Sequence, residues 1–291
     1  MRKTNRIWIL VFLAPAVIMF ILVYLGPLIL VTVSGFARWN GLERMRFIGF
    51  RNYGEIFKSD EFRSAFFNTI KWGLLAAFVH TPFGILVALV LARKPRAWRL
   101  TRAAFMAPNI IGWTALSILF LFIYMPKVGI LNGLIHLVGF KNFDNNWLYN
   151  PSTAFLSVSV IWLFYAAVIT LITMSELFAI SPSLAESARI DGASSFQIDL
   201  YINLPLIRPI IGTGIIIAVT AIFKQFEIVF LTTGGGPGNK TMNISVMMVN
   251  RLFNSMEYGY SNALAMILLL MGMAFILIFQ YAFRIGRSTY D

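Results

Sequence analysis

The chain has 291 residues, of which 58% are hydrophobic and only 12% charged, against roughly 25% charged in soluble domains. So little polar side chain cannot cover a water-exposed surface, which excludes soluble enzymes, nucleic-acid binders and disordered proteins and leaves a chain whose outer surface faces lipid. The net charge of +12 then reads as basic residues gathered in loops on one side of a membrane, where they hold the topology.

A bilayer-crossing helix takes about 20 mostly apolar residues. The uncharged runs, with one more apolar run near 206–232 that Lys224 and Glu227 interrupt, predict an all-α, polytopic membrane protein with six transmembrane helices, at 7–34, 67–92, 103–125, 152–174, 206–232 and 260–284. The first run is too long for a signal-peptide core and lacks a small-x-small cleavage pattern, so an uncleaved anchor is expected. Pro15, Pro27, Pro82 and Pro108 should kink the spans they occupy or adjoin. Arg2, Lys3 and Arg6 precede the first span, and Arg93, Lys94, Arg96, Arg99 and Arg102 crowd the loop after the second. Arg284 and Arg287 follow the last. Both termini are basic and an even number of spans puts them on one side, so both are expected in the cytoplasm. The segment 35–66 is then an outer loop, its basic residues diluted by Glu43, Glu55, Asp60 and Glu61.

No cysteine is present, which excludes disulfides, iron–sulfur centres and thiol catalysis. His80 and His136 stand far apart without a metal-binding pattern, so no metal site is expected. Paired catalytic carboxylates and a Ser/His/Asp set are likewise missing from the reading, and the chain is not expected to be an enzyme.

The segment 176–205 departs from a simple pore. Ser181-Pro182 reads as an N-cap followed by proline at the first helical position. The helix should run to about Ile190 and stop at Asp191-Gly192. Ser194 or Ser195 can cap a second short helix, which Leu204-Pro205 closes. A helix–turn–helix outside the membrane results. Leu184, Ile190, Phe196, Ile198, Leu200 and Ile202 are more apolar side chain than two exposed turns need, and they call for a partner surface. Residue by residue there is a plainer account: Ser183 and Glu186 satisfy a capping box, and Asp191-Gly192 suffices as a turn.

Taken together, Glu186-Ser187-Ala188-Arg189-Ile190-Asp191-Gly192-Ala193, followed by Leu204-Pro205 and Pro209, resembles the cytoplasmic coupling loop of binding-protein-dependent ABC-transporter permeases. The family pattern is E-A-A-x-x-D-G-A and then L-P-x-x-x-P; Ser187 replaces one alanine. Ala14-Pro15, the run from Phe47 to Tyr53, Asn68-Thr69 and Gly234-Gly235-Gly236-Pro237 extend the likeness over almost the whole chain. They place it nearest the carbohydrate-uptake branch, of maltose and glycerol-3-phosphate type, as the first of two paired permeases. The resemblance implies that Glu186, Ser187, Ala188, Asp191, Gly192 and Ala193 form the element that couples to an ATPase. It also implies three partners: a second homologous permease, a cytoplasmic ATPase dimer, and an extracellular or periplasmic solute-binding protein. ATP and Mg would bind the ATPase, with no cofactor on this chain, in the plasma membrane of a bacterium or archaeon.

Gly234 to Thr241 imitates a phosphate-binding loop. That motif needs glycine immediately before Lys-Thr after a strand, whereas Asn239 stands there, Pro237 lacks an amide and a lipid span precedes. A close turn at the outer mouth, facing the binding protein, is expected instead. Within span five, Thr213, Thr220, Lys224 and Glu227 fall on one face of a regular helix, with Gln225 on a neighbouring face. Charges inside a span default to functional candidates, so Thr220, Lys224, Gln225 and Glu227 are substrate-path candidates. Lys224 snorkelling to the headgroups beside Glu227 is the alternative. Trp162 and Tyr165 in span four join the set, since aromatic rings pack on sugar C–H faces, although buried aromatics often only pack. The expected function is a permease subunit that takes up a sugar or related polyol. An ion-coupled secondary transporter, with Glu227 as the ion site and no ATPase, is the other reading; such folds usually show internal repeats, and the coupling-loop pattern does not recur.

Overall fold

A computed structural model describes residues 2–94, 96–141 and 143–283; Arg284 and Arg287 lie outside them. The first apolar run forms α1 (Arg2–Phe20) and α2 (Gly26–Gly35), joined through a π-helical turn at Ile21–Leu25. A short hairpin follows, β1 (Ala37–Arg38) antiparallel to β2 (Arg46–Phe47), then α3 (Arg51–Lys58). The second run is α4 (Asp60–Leu75), a π turn at Ala76–His80 and α5 (Thr81–Ala92). Next come α6 (Trp98–Met106), a 3-10 turn at Ala107–Ile110, α7 (Trp113–Ile123) and α8 (Ile130–Leu137). The fourth run is α9 (Ala154–Leu163) and α10 (Ala167–Ala179). The elbow after it holds α11 (Pro182–Ile190), α12 (Ser195–Ile198), a π turn at Asp199–Asn203 and α13 (Leu204–Leu206). The remainder is α14 (Arg208–Lys224), α15 (Glu227–Thr232), α16 (Ile244–Phe253) and α17 (Tyr258–Phe283).

Val11–Gly35, Asp60–Ala92, Arg208–Thr232 and Tyr258–Phe283 are each long and apolar enough to cross a bilayer. The other two candidates are bent, by 96° between Trp98–Ile110 and Trp113–Ile123 and by 41° between Ala154–Leu163 and Ala167–Ala179, giving six if each pair is one span.

The prolines explain most of the irregularity. Proline removes a backbone donor and its ring clashes with the carbonyl four residues back. Pro27, Pro82 and Pro205 each follow two residues after a π turn, at Leu25, His80 and Asn203. The wider turn absorbs the lost bond and the helix continues. Pro108, by contrast, sits in the 3-10 turn at the sharp bend.

The chain packs as two compact units. The first comprises the chain to Phe62 plus Met247–Leu269. There the buried Asn52 amide donates to the carbonyls of Gly35 at 2.9 Å and Ala37 at 3.0 Å, fixing the exit of α2. Gly259 lies so close to this exit that a Cβ would overlap the Ala37 carbonyl oxygen. Arg251 donates to Glu61 at 2.8 Å and Glu257 at 3.2 Å, with the Tyr260 ring 5.0 Å away. Burial opposes its charge, but the two carboxylates outweigh that and raise its pKa further.

The second unit comprises Arg63–Val246 and the chain from Leu270. Its helices meet through small residues, which let backbones approach closely in an apolar solvent. A Cβ on Gly84 of α5 would stand 2.9 Å from Ile169 Cβ and 3.1 Å from Ala166 Cβ. The same approach lets Thr170 Oγ1 donate to the Gly84 carbonyl at 2.9 Å. Trp72 of α4, 2% exposed, stacks on Phe155 with ring centroids 5.1 Å apart and donates to Ser159 Oγ at 2.8 Å.

Candidate functional site

The elbow between α10 and α14 is built as its sequence dictates. Ser181 takes the extended N-cap conformation before Pro182, and its Oγ lies 2.8 Å from Ser183 Oγ. At the other end Gly192 has φ +82°, its amide bonds to the Arg189 carbonyl, and the Ala193 amide bonds to the Ala188 carbonyl at 2.9 Å. Those two bonds make a Schellman cap, which glycine favours because its φ is positive. The capping box forms at Ser194 and Gln197, not at Ser183 and Glu186: the Gln197 amide donates to Ser194 Oγ and the Ser194 amide to Gln197 Oε1. Glu186 is therefore not engaged in helix capping; with Ser187, Asp191 and Gly192 it is exposed, while Ala188 and Ala193 are half-buried. Leu184, Ile190, Phe196 and Leu200 are exposed too, whereas Ile198 is buried.

Sequence reasoning overlooked how the elbow is held. Asp199 is buried, forms an ion pair with Arg93 at the end of α5, and accepts from Asn203 Nδ2 at 2.7 Å. An acid inside the run Ile198-Asp199-Leu200 was the available signal.

Span five is not a regular helix. α14 ends at Lys224, Gln225 is extended with ψ 115°, and α15 restarts at Glu227. The face predicted to join Thr213, Thr220, Lys224 and Glu227 is thus interrupted before its last member. Lys224 is exposed, Thr220 and Glu227 are half-buried, and no ion pair joins Lys224 to Glu227. The break carries neither glycine nor proline. It is stabilised from elsewhere in the unit: Asn243 Nδ2 donates to the Gln225 carbonyl at 2.8 Å and Ser245 Oγ to the Phe223 carbonyl at 2.7 Å. Asn243 Oδ1 also accepts from the Val246 amide at 2.8 Å.

This opening brings part of the predicted set together. Trp162 and Gln225 line one narrow crevice with Trp72, Ile222, Ile228 and Asn243. Gln225 is 8% exposed, and its side-chain Nε2 is buried with no hydrogen-bond partner, an arrangement that costs about 1–3 kcal/mol. Tyr165 does not line the crevice; its ring lies 6.1 Å from that of Trp113. Aromatic walls with one unpaired amide are the groups that pack a sugar's C–H face and hydrogen-bond a hydroxyl. The crevice is closed here, however: it has no room for a water molecule, and Trp72, Trp162 and Gln225 are all buried.

The glycine turn after α15 holds no phosphate cradle. Gly234, Gly235 and Gly238 have positive φ, as does Asn239. The Gly234, Gly236, Lys240, Thr241 and Met242 amides bond to carbonyls within or just before the turn, so they do not converge on a ligand. Asn68 Nδ2 fastens the turn by reaching the carbonyls of Asn239 at 3.2 Å, Lys240 at 3.0 Å and Met242 at 3.0 Å. Among the described residues no group of three or more His, Cys, Asp or Glu could hold a metal.

The family model for the binding-protein-dependent transport system inner membrane component matches residues 80–285. The chain belongs to that family. It is a multi-pass membrane protein, and its polytopic helical fold agrees with the solved permease of a bacterial ABC transporter that imports the acidic polysaccharide alginate, at TM-score 0.84 and 22% identity over 97% of both chains. Among curated relatives, it is 30% identical to a probable ABC transporter permease, YurN, of Bacillus subtilis (strain 168), over 99% of this chain and all of that one. It is 28% identical to a probable starch degradation products transport permease, AmyD, of Thermoanaerobacterium thermosulfurigenes, over 91% of this chain and 90% of that one.

Proposed function

We propose that this permease is one of two paired subunits of an ATP-driven importer for a sugar or related polyol. The observation that carries the proposal is the elbow. Leu184 and Ile190 stand exposed with Glu186 on α11, whose end at Asp191-Gly192 is rigidly capped, and Phe196 is exposed on α12 after it. A rigid apolar surface of this kind suits docking in a partner's cleft. That partner is a cytoplasmic ATPase dimer, which binds ATP and Mg and carries out all hydrolysis. Both termini and the elbow then lie in the cytoplasm. The family's description names a binding protein, and in this reading the Gly234–Pro237 turn faces outward toward it. The name of the relative AmyD supports a carbohydrate.

In this mechanism, ATP binding closes the ATPase dimer and displaces the elbow, which is covalently continuous with α10 and α14. The paired permeases open outward and sugar leaves the binding protein. The crevice beside Gln225 is closed here, and its opening in that state presents the Trp162 ring and the unpaired Gln225 Nε2 to the sugar. ATP hydrolysis then returns the permeases to the inward-open state.

Reconstitution tests the proposal. Proteoliposomes containing this chain, its sibling permease and the ATPase should take up sugar only with both ATP and the binding protein present. Uptake by this chain alone, driven by an ion gradient, would overturn it in favour of a secondary transporter.

A further inference from the structure

The elbow is continuous with α10 and α14, yet its one buried charge points to a third helix. Glu186, Arg189 and Asp191 are exposed, but Asp199 is only 9% exposed. A carboxylate removed from water is costly unless it is paired and hydrogen-bonded. Asp199 meets both conditions, with Arg93 as ion partner and Asn203 donating at 2.7 Å. Arg93 is the residue that ends α5, and its guanidinium also approaches the Ser195 carbonyl at 3.5 Å. The last turn of α5 is held from the other side as well. Leu91 and Ala88 are buried against Met174 of α10, with Leu177 beside them, and the Lys94 ammonium lies 5.6 Å from the Phe178 ring centroid. The end of α5 is thus fixed to the helix that enters the elbow and, through Arg93, to the turn that leaves it.

We infer that the Arg93–Asp199 pair is a strut that carries displacement of the elbow into span two. The inference rests on the proposed coupling function and extends it to a helix with no covalent link to the elbow. An apolar contact can slide, whereas a charge-assisted bond from the half-exposed Arg93 to a buried carboxylate that Asn203 also holds fixes direction and distance together. Arg93 and Asp199 are positioning residues in this scheme; neither meets ATP or sugar. Motion of the elbow moves α5 with it, and the walls of the path shift as a set.

The experiment uses the full importer in proteoliposomes: this chain, its sibling permease, the ATPase and the binding protein. Asp199→Asn keeps the shape and the bond from Asn203 but removes the charge and, because an amide nitrogen only donates, the bond from Arg93. Arg93→Gln removes the other charge. ATP hydrolysis, ATPase affinity and sugar uptake are measured together. Both variants should bind the ATPase normally and hydrolyse ATP, while sugar imported per ATP falls by about an order of magnitude, the usual size of a coupling between sites. Because the chain has no native cysteine, Arg93→Cys with Asp199→Cys can be joined by a short bismaleimide, and this should restore at least half the lost ratio. An unchanged ratio in both variants overturns the strut, as does a bridge that restores nothing. Loss of ATPase binding in both overturns it too, since a contact inside this chain should leave the docking face intact. If the unmutated chain imports sugar without the ATPase, the coupling function itself has failed, a result separate from all of these.

Discussion

Gly192 allows the proposed docking role of the elbow to be separated from its fold. Its φ of +82° is a left-handed conformation, and a Cβ built there meets nothing within 4 Å. Substitution therefore produces no clash inside the chain, and backbone strain is the only local cost. For alanine that cost is about 1–2 kcal/mol, while asparagine tolerates the conformation better. Side-chain size runs the other way, because asparagine is larger than alanine. If the capped end of α11 lies in a partner's cleft, the added side chain must displace packed atoms, at about 1–3 kcal/mol. That is a loss of about fivefold to 150-fold in affinity. Purified Gly192→Ala and Gly192→Asn variants would be compared by thermal unfolding in detergent and by titration with the ATPase dimer. Alanine should be the less stable of the two, and asparagine the weaker binder. Affinities that follow backbone strain instead, with asparagine near the unmutated chain and alanine poorer, would refute docking at this surface. So would a Gly192→Trp variant that binds normally.

Three further outcomes test the second unit. Gln225→Leu removes a buried donor that has no partner; stability should hold or rise by about 1–3 kcal/mol while sugar uptake falls, measured by unfolding and transport in parallel. Asn68→Ala strips three carbonyls of the glycine turn, those of Asn239, Lys240 and Met242, of their shared donor. It should cost about 1–3 kcal/mol and speed amide hydrogen exchange at residues 239–244. Gly84→Val forces side-chain atoms into Ile169 and Ala166, and should lower the unfolding temperature by an overpacking penalty of about 1–3 kcal/mol. Gly214→Ala, whose nearest neighbours stand at 3.6 Å, should be tolerated.

Apolar runs located the long helices because lipid imposes an uninterrupted demand on sequence: 67–92 falls within Asp60–Ala92, and 206–232 covers Arg208–Thr232. The fourth span was ended too early, since Glu176 marks the edge of the uncharged run but α10 continues to Ala179. The elbow's caps were legible as local chemistry, Ser181-Pro182 and Asp191-Gly192 above all. Its capping box was not assigned to Ser194 and Gln197, and Ser183 with Glu186 has the same spacing. What stayed hidden depends on partners distant in sequence. No glycine or proline marks the break at Gln225, which is stabilised by Asn243 and Ser245. The α16 helix was also missed, being too short to read as a span.

The π turn at Ala76–His80 has a consequence for how this chain can vary. One extra residue in a helix corresponds to about 100° of rotation, so the turn sets the angle between what lies before and after it. Trp72 is bonded to Ser159 on one side, and on the other Gly84 receives Thr170. Deleting a single residue between them would make the helix more regular and aim one of those contacts the wrong way. Replacing Pro82 alone would not straighten the helix, because both flanks are already fastened. Proline and surplus residue thus work as a pair, and length changes here should come in whole turns or not at all.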